Sequence, residues 1–154
     1  MDFKVETRTF KEQKVMYIPT TLTHDEMLDT GRFFMKLGIH AFSEDGKPTG
    51  ISFKRIINET ESTIDLELCF EMEELIKETD EIKAKILPAT QGKYAVAIHK
   101  GNRKDLPTVY VKMYEWFKEQ GLTRTGGPLI EYYPNNAHQV PVADLITELL
   151  WPVE

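Results

Sequence analysis

The sequence is short of cysteine, of long apolar runs and of recognisable secretion signals, and each shortage excludes a class of protein. The single cysteine, Cys69, excludes a disulfide within the chain. Its position in the apolar run 66–70 predicts a buried thiol rather than a nucleophile. The apolar runs are too short to cross a bilayer, and the acidic residues near the N-terminus do not fit a secretory signal. We therefore expect a cytoplasmic protein with no membrane partner.

Positive charge is also scarce. Lysine and arginine number 19 against 25 aspartates and glutamates, which gives a net charge of −6. Domains that bind nucleic acid usually carry a basic face, and here only residues 100–104 are locally basic. Direct nucleic-acid binding is therefore not expected. The acidic run 71–81 predicts a solvated segment, with a cation-attracting mouth as the weaker interpretation.

The usual catalytic signatures are missing as well. The chain has no Gly-x-Ser-x-Gly motif, no P-loop and no dinucleotide fingerprint. The four histidines, His24, His40, His99 and His138, lack the spacing of metal ligands. We expect neither a metal nor a cofactor.

What the sequence does contain is typical of one α+β domain over residues 1–154, since no linker divides it. A first helix is predicted from a capping box at Thr23 and Glu26, with Gly38 at its C-terminal turn. Its apolar stripe comprises Met27, Leu28, Gly31, Phe34 and Met35. A second helix is predicted from Asp105 as N-cap to Gly121 as terminator. Its stripe comprises Leu106, Val109, Tyr110, Met113, Trp116 and Phe117.

The remaining periodic segments alternate like strands. Eight are predicted, at residues 3–9, 14–18, 51–57, 64–72, 82–87, 94–99, 129–133 and 145–153. The order of strand, helix, Gly-x-Pro turn and two strands occurs twice, and Ile18 is as far from Pro48 as Ile98 is from Pro128. Coincidence is the alternative, but the matched order favours a duplicated β-α-β-β unit, with pseudo-repeats of about 1–80 and 81–154. The two helices would then lie on one face of the sheet, with a central cleft at the seam of the halves.

One residue in the predicted strand 129–133 does not suit a core. Alternation places Leu129, Glu131 and Tyr133 on the same face, and half-to-half alignment sets Glu131 where Ile51 stands. A carboxylate at an apolar position is costly unless it is paired or hydrogen-bonded. Glu131 is therefore a candidate ligand-binding residue, with an exposed edge position or an ion pair with lysine or arginine as the alternatives.

The second half resembles the GyrI-like family of bacterial effector-binding domains. The resemblance rests on residues 97–101, on Tyr110, Met113 and Trp116, on residues 127–133 and on residues 147–153. The first half is similar more loosely, through the order of its elements. Related domains form the ligand-sensing half of AraC-type and MerR-type regulators, so the resemblance implies two repeats, a curved antiparallel sheet and a pocket at the seam. This chain departs from those regulators in having no helix-turn-helix region.

The resemblance also implies roles for residues of this chain. The Glu of a Gly-Pro-x-x-Glu-x-Tyr pattern, here Glu131 with Tyr133, would receive a hydrophobic or cationic ligand. Aromatic faces that would hold the same ligand are those of Tyr110, Trp116, Tyr133 and Trp151, with His99 as a further lining residue. Core packing competes with this role, most of all for Trp116 on its helix stripe.

Three functional hypotheses follow. The first is a standalone binder of cationic or aromatic amphipathic compounds, acting in sensing, sequestration or resistance. The second is a hydrolase, implied by family members that open strained cyclopropanes, in which a Glu131 of raised pKa acts as general acid or base and Tyr133 or Tyr110 stabilises the developing oxyanion. The third is a protein-interaction module whose partner is gyrase or a regulator.

Overall fold

The structure is a computed structural model, which describes residues 2–136 and 138–154. Within those residues the regular elements, in chain order, are β1 (Phe3–Phe10), β2 (Gln13–Thr23), α1 (Gly31–Ser43), β3 (Pro48–Glu59), β4 (Thr63–Met72), β5 (Lys83–Leu87), β6 (Thr90–Lys100), α2 (Leu106–Glu119), β7 (Leu129–Tyr133) and β8 (Ile146–Pro152). Short 3-10 turns lie at Glu26–Leu28, Arg103–Asp105 and Val142–Asp144. No helix of the described part is long and apolar enough to span a membrane.

All eight strands form one antiparallel sheet in the order β1-β6-β8-β7-β3-β4-β2-β5. The α+β class with eight strands and two helices is therefore confirmed. The units β2-α1-β3-β4 and β6-α2-β7-β8 repeat the same pairing, and they meet where β3 pairs with β7. We call this β3–β7 boundary the seam.

The first strand of each half pairs with the other half. β1 pairs with β6, and β5 pairs with β2, so each half contributes the outermost strand of its counterpart. Along the chain, however, β1 is followed directly by β2 of its own half, and β5 is followed directly by β6 of its own half. The two halves are thus interlocked rather than merely adjacent.

This exchange forces the sheet to curve. In the sheet order β1 and β2 are six positions apart, which is about 29 Å across a flat sheet. Only Lys11 and Glu12 connect them, and such a link spans about 11 Å at most. The wings of the sheet must therefore bend toward each other at this end. Val15, Phe53 and Cys69 are at most 2% exposed on the face that carries no helix, so that face is the concave one.

The helices cover the opposite, convex face. α1 contacts β2 and β4, and α2 contacts β6, which leaves the seam under the gap between the helices. The main core lies between helices and sheet, with Leu37, Met113 and Leu149 fully buried. The predicted buried thiol is confirmed, since Cys69 is inaccessible and burial raises the pKa of its thiol.

The first helix begins later than the sequence indicated. Thr23 and Glu26 do exchange the hydrogen bonds of a capping box. The box lies between the end of β2 at Thr23 and a 3-10 turn at Glu26–Leu28, not at the start of α1. α1 itself buries Phe33, Leu37 and Ala41, whereas Met35 of the predicted stripe is 67% exposed. The side chain of Leu28 lies outside the described part.

The predicted end of this helix was wrong. Gly38 lies inside α1, which continues to Ser43 and ends in a Schellman motif. There the Gly46 N–H donates to the Ala41 carbonyl at 2.7 Å, and Asp45 takes the left-handed conformation with φ 52°. Asp45 is polar and not glycine, so the usual glycine signal pointed to the wrong residue.

The second helix agrees with the sequence. α2 follows Asp105, has Pro107 in its first turn and buries Leu106, Val109, Met113 and Phe117. Gly121 has φ 66° just after its end. Asp105 makes no side-chain capping bond, and the Asn102 side chain caps the preceding 3-10 turn instead.

The acidic run 71–81 is mostly exposed and held by local bonds. The Glu71 carboxylate accepts from Gln13 Nε2 at 2.6 Å, and the Glu78 carboxylate accepts from the Ala84 N–H at 2.8 Å. Lys36 Nζ is 3.0 Å from the Glu81 carboxylate. The run is also the connection between the two halves, since β4 ends at Met72 and β5 begins at Lys83.

Candidate functional site

Glu131 lies on β7 at the seam, and its side chain points toward the helices. In the strand pairing it faces Lys54 of β3 on one side and Leu149 of β8 on the other. Leu129 and Tyr133 are buried on the same face, as the alternation predicted, whereas Ile130 and Tyr132 pack on the concave side. Glu131 is 4% exposed, so the predicted edge alternative does not apply.

The carboxylate has three partners. Lys54 Nζ lies 3.2 Å from Glu131 Oε2, and Lys54 is itself 8% exposed. The Tyr110 hydroxyl, from α2, donates to Glu131 Oε1 at 2.5 Å. The Tyr133 hydroxyl donates to Oε2. The buried charge is therefore both paired with a cation and hydrogen-bonded, which is what makes its burial tolerable.

These partners control the charge of the site. Burial by itself raises the pKa of Glu131, but the Lys54 ammonium and the two tyrosine hydroxyls outweigh it and hold the pKa below the usual range. This direction is opposite to the raised pKa expected for a catalytic Glu131. Burial and the neighbouring carboxylate raise the pKa of Tyr110 and of Tyr133 well above the ordinary value, so both hydroxyls stay protonated donors.

A second cation, Arg103, contacts the Tyr133 ring of this group. The Arg103 guanidinium carbon is 4.2 Å from the centre of the Tyr133 ring, within the range of a cation–π contact. Arg103 also donates to the Thr147 hydroxyl at 3.3 Å and to the Asn135 carbonyl at 3.2 Å. We call the group formed by Glu131, Lys54, Tyr110, Tyr133 and Arg103 the seam cluster.

Aromatic side chains from both helices close the gap above the seam cluster. Phe34 of α1 meets the Tyr133 ring edge-on, with 6.0 Å between ring centroids. Tyr110 of α2 stacks on Trp151 at 6.3 Å, and Trp151 in turn contacts Phe117 at 5.5 Å. Two surface depressions of about 450 and 520 Å³ lie elsewhere, and neither is lined by Glu131. Because Glu131 is 4% exposed, a ligand that contacts it must move some of these side chains.

The other predicted site residues divide into neighbours and outsiders. Tyr110, Tyr133 and Trp151 are brought together with Glu131, as described above. His99 is next to the cluster, where its ring Nε2 is 2.9 Å from the Asn102 carbonyl oxygen and its strand neighbour is Thr147. Trp116 stacks on Phe3 of the edge strand β1 at 5.5 Å, a core contact away from the seam.

The alignment of Glu131 with Ile51 did not hold. Ile51 packs with Phe53 and Cys69 on the concave face, whereas Glu131 faces the helices. The register of β3 shifts between Pro48 and Ser52, beside Gly50 with φ 95°, where four residue steps of β3 oppose two of β4. The equal spacing of the two halves concealed this irregularity of β3.

Sequence reasoning missed Lys54 and Arg103. Lys54 lies inside a predicted strand, and only the pairing of β3 with β7 shows that it faces Glu131. The alternation of Phe53 and Lys54 was a usable signal, because it places a lysine and a phenylalanine on opposite faces of one buried strand. Arg103 gives no comparable signal, since it belongs to a short turn before α2.

Comparisons with known proteins are consistent with this architecture. A family model described as GyrI-like small molecule binding domain matches residues 3–154. No curated protein matches the chain.

Three solved structures illustrate the likeness. The EcmrR C-terminal domain is 21% identical, with a TM-score of 0.73 over 100% of this chain and 99% of that chain. EcmrR in a complex with DNA is 19% identical, with a TM-score of 0.75 over 99% of this chain and 57% of that chain, so this chain spans little more than half of it. SAV2435 bound to tetraphenylphosphonium is 15% identical, with a TM-score of 0.66 over 100% of this chain and 94% of that chain. At these identities the likeness shows a shared fold.

Proposed function

Because this chain belongs to the GyrI-like small-molecule binding domain family, we propose that it binds aromatic amphipathic compounds, cationic ones included, at the seam cluster. The observation that supports this proposal is the buried Glu131 carboxylate beneath aromatic side chains of both helices. A buried carboxylate attracts a cation more strongly than an exposed one, and aromatic faces add to the attraction. We further propose a role in sensing, sequestration or resistance.

Entry of a ligand requires the cluster to open. Phe34, Tyr110 and Trp151 fill the space between the helices, so a bound aromatic would take the place of one or more of these rings. Each ring moves as a side chain about its own rotatable bonds, whereas the strands that carry Glu131 and Tyr133 stay paired on both sides. Replacement of one ring by another conserves apolar contact, which favours broad rather than narrow specificity.

Titration calorimetry with tetraphenylphosphonium tests the proposal. We expect the wild type to bind it and Glu131→Gln to bind at least about tenfold more weakly, a difference of about 1.4 kcal/mol. Glu67→Gln is the matched control, because Glu67 is a largely buried carboxylate that pairs with Arg55 and Lys85 and lies away from the seam cluster. Equal affinity in wild type and Glu131→Gln, or no binding of any cationic dye or neutral aromatic by the wild type, would refute the proposal.

The hydrolase alternative has less support. A general acid at neutral pH needs a carboxyl of raised pKa, whereas Lys54 and the two tyrosines lower the pKa of Glu131. A general base needs room for a water beside the carboxylate, and both Glu131 oxygens already accept hydrogen bonds from tyrosine. We therefore rank binding first, and recovery of chemically unchanged ligand from the calorimeter cell is the expected result.

A further inference from the structure

Lys54 holds the position that a ligand cation would need. Its Nζ is 3.2 Å from Glu131 Oε2 and 6.0 Å from the centre of the Tyr133 ring. A carboxylate and an aromatic face are the two parts of a binding site for an organic cation. At the seam both parts are in contact with a cation that belongs to the protein.

A second cation of the chain contacts the same ring. Arg103 lies 4.2 Å from the centre of the Tyr133 ring, so one tyrosine serves two cations of the chain. Arg103 is held by the Thr147 hydroxyl and by the Asn135 carbonyl, both of them neutral groups. The seam cluster therefore combines two positive charges with the single negative charge of Glu131. Addition of a third cation without the loss of one of these would be opposed by repulsion at short range.

Lys54 is the cation that can give way. It sits at the end of a flexible four-carbon side chain with rotatable bonds, whereas the planar Arg103 group is fixed by two hydrogen bonds and a ring. Lys54 is also the cation in contact with the carboxylate, so its departure frees the negative charge for a ligand.

We propose that Lys54 is a tethered competitor of cationic ligands, which occupies the cation position beside Glu131 and sets the charge preference of the site. This inference rests on the proposed function, in that the ligand is taken to reach Glu131. Its consequence is that the wild type discriminates against cations relative to neutral aromatics of the same shape. A cationic ligand binds only by displacing the ammonium group, whereas a neutral one leaves the pair intact.

Truncation and chemical rescue test the cation position directly. Lys54→Ala removes the equivalent of a propylammonium ion, so propylammonium chloride is the probe and 1-propanol its neutral counterpart. We expect propylammonium chloride to raise the thermal midpoint of Lys54→Ala above that in equimolar sodium chloride, and 1-propanol not to. Wild type, Lys54→Ala/Glu131→Gln and the control Lys85→Ala should show no such difference. Lys85 is a suitable control because it pairs with Glu67 on the other side of the sheet.

Either of two results in this experiment overturns the inference. One is an equal midpoint of Lys54→Ala in propylammonium chloride and in sodium chloride. The other is a rise for the wild type as large as that for Lys54→Ala. If Lys54→Ala does not fold in plain buffer, refolding in propylammonium chloride is measured by circular dichroism. Recovery of structure then supports the inference, and failure to recover counts against it.

A second variant separates this inference from the proposed function. Lys54→Met keeps most of the length of the side chain and removes its charge. We expect it to bind tetraphenylphosphonium at least about tenfold more tightly than wild type, with affinity for neutral triphenylphosphine oxide unchanged. Equal affinities of both proteins for tetraphenylphosphonium would remove the role of Lys54 and leave the proposed function in place. Propylammonium rescue without binding of any aromatic probe would refute the proposed function and leave Lys54 as the occupant of the cation position.

Discussion

The Glu131 carboxylate connects the chemistry of the seam to the stability of the chain. It is held by one ammonium and two hydroxyl groups, none of which can be lost without leaving a buried group short of a partner. Even small substitutions in this group should therefore lower the stability of the fold markedly. Removal of one tyrosine hydroxyl is the mildest such substitution.

Tyr133→Phe removes one hydroxyl and keeps the ring. We expect it to lower the free energy of unfolding by about 1.5–3 kcal/mol, because a hydrogen bond to a buried charge is lost. Tyr132→Phe is the matched control, since Tyr132 is the next residue on the same strand but packs on the concave face. Urea unfolding of the two variants measures the difference, and equal destabilisation would contradict a charge-assisted bond from Tyr133.

The pH dependence of stability follows from the lowered pKa of Glu131. A carboxyl whose pKa is lower in the folded than in the unfolded state stabilises the fold fully above its unfolded pKa, about 4.3 for glutamate. That contribution is lost as the pH falls through the folded pKa. We expect the stability difference between wild type and Glu131→Gln to be largest near neutral pH and to shrink below about pH 4.3. Urea titrations from pH 7 to pH 2.5 measure it, and a difference that grows on acidification would contradict the pKa direction.

At the scale of the elements, sequence and structure disagree about the end of α1, and two glycines, Gly38 inside the helix and Gly46 after it, separate the two interpretations. Gly38 lies in the helix interior with only Phe70 Cε2 near its missing Cβ, at 3.9 Å. Gly46 ends the Schellman motif, and a Cβ there would lie 2.9 Å from Met72 Cε and from Ile76 Cδ1. The two positions should therefore respond to alanine in opposite directions.

We expect Gly38→Ala to stabilise the protein by about 0.5–1 kcal/mol, because alanine is the better helix former. Gly46→Ala should destabilise it by about 1 kcal/mol, because an added Cβ would lie 3.1 Å from the Ala41 carbonyl oxygen, whereas the ends of the Met72 and Ile76 side chains can move aside. Thermal unfolding of both variants and of the wild type measures these stability differences. A loss of stability in Gly38→Ala would restore the original interpretation, in which Gly38 ends the helix.

The elements also show which features of the fold the sequence can predict. Alternation located all eight strands, and it put Glu131 and Tyr133 on one face, since both signals are local. It could not give the partner of Glu131, because Lys54 is its neighbour only through the pairing of β3 with β7. The Ile51 alignment failed for a related reason, because the register irregularity of β3 between Pro48 and Ser52 is invisible in a spacing that matches overall. The repeated order of the elements predicted the seam, and the register of β3 against β7 identified the lysine.

On the scale of the whole molecule, the exchange of β1 and β5 makes the halves interdependent. Residues 1–80 alone would leave β2 without β5, and residues 81–154 alone would leave β6 without β1. We expect neither fragment to fold as a monomer, and an equimolar mixture to regain the sheet. Circular dichroism with analytical ultracentrifugation checks this, and a cooperatively unfolding monomeric half would contradict it.

Net charge leads to the last prediction. At −6 the molecule repels a polyanion, and its excess of acids includes the exposed run 71–81. We expect no sequence-dependent shift of duplex DNA by this chain at physiological salt in a gel assay. A shift that survives added salt and depends on sequence would contradict the expectation.

The interlocked sheet also bears on the evolutionary origin of a chain with two similar units. A single β-β-α-β-β unit with this pairing rule completes its sheet only by exchanging first strands with a second copy, as a two-fold symmetric dimer. Such a dimer would carry every contact across its axis twice. In this chain residues 73–82 link the two units, whose sequences differ. Lysine faces glutamate across β3 and β7 at one pair of positions, while Ser52 faces Tyr133 beside it. A chain that arose by fusion of two such copies would keep one charged pair where the symmetric dimer has two equivalent positions.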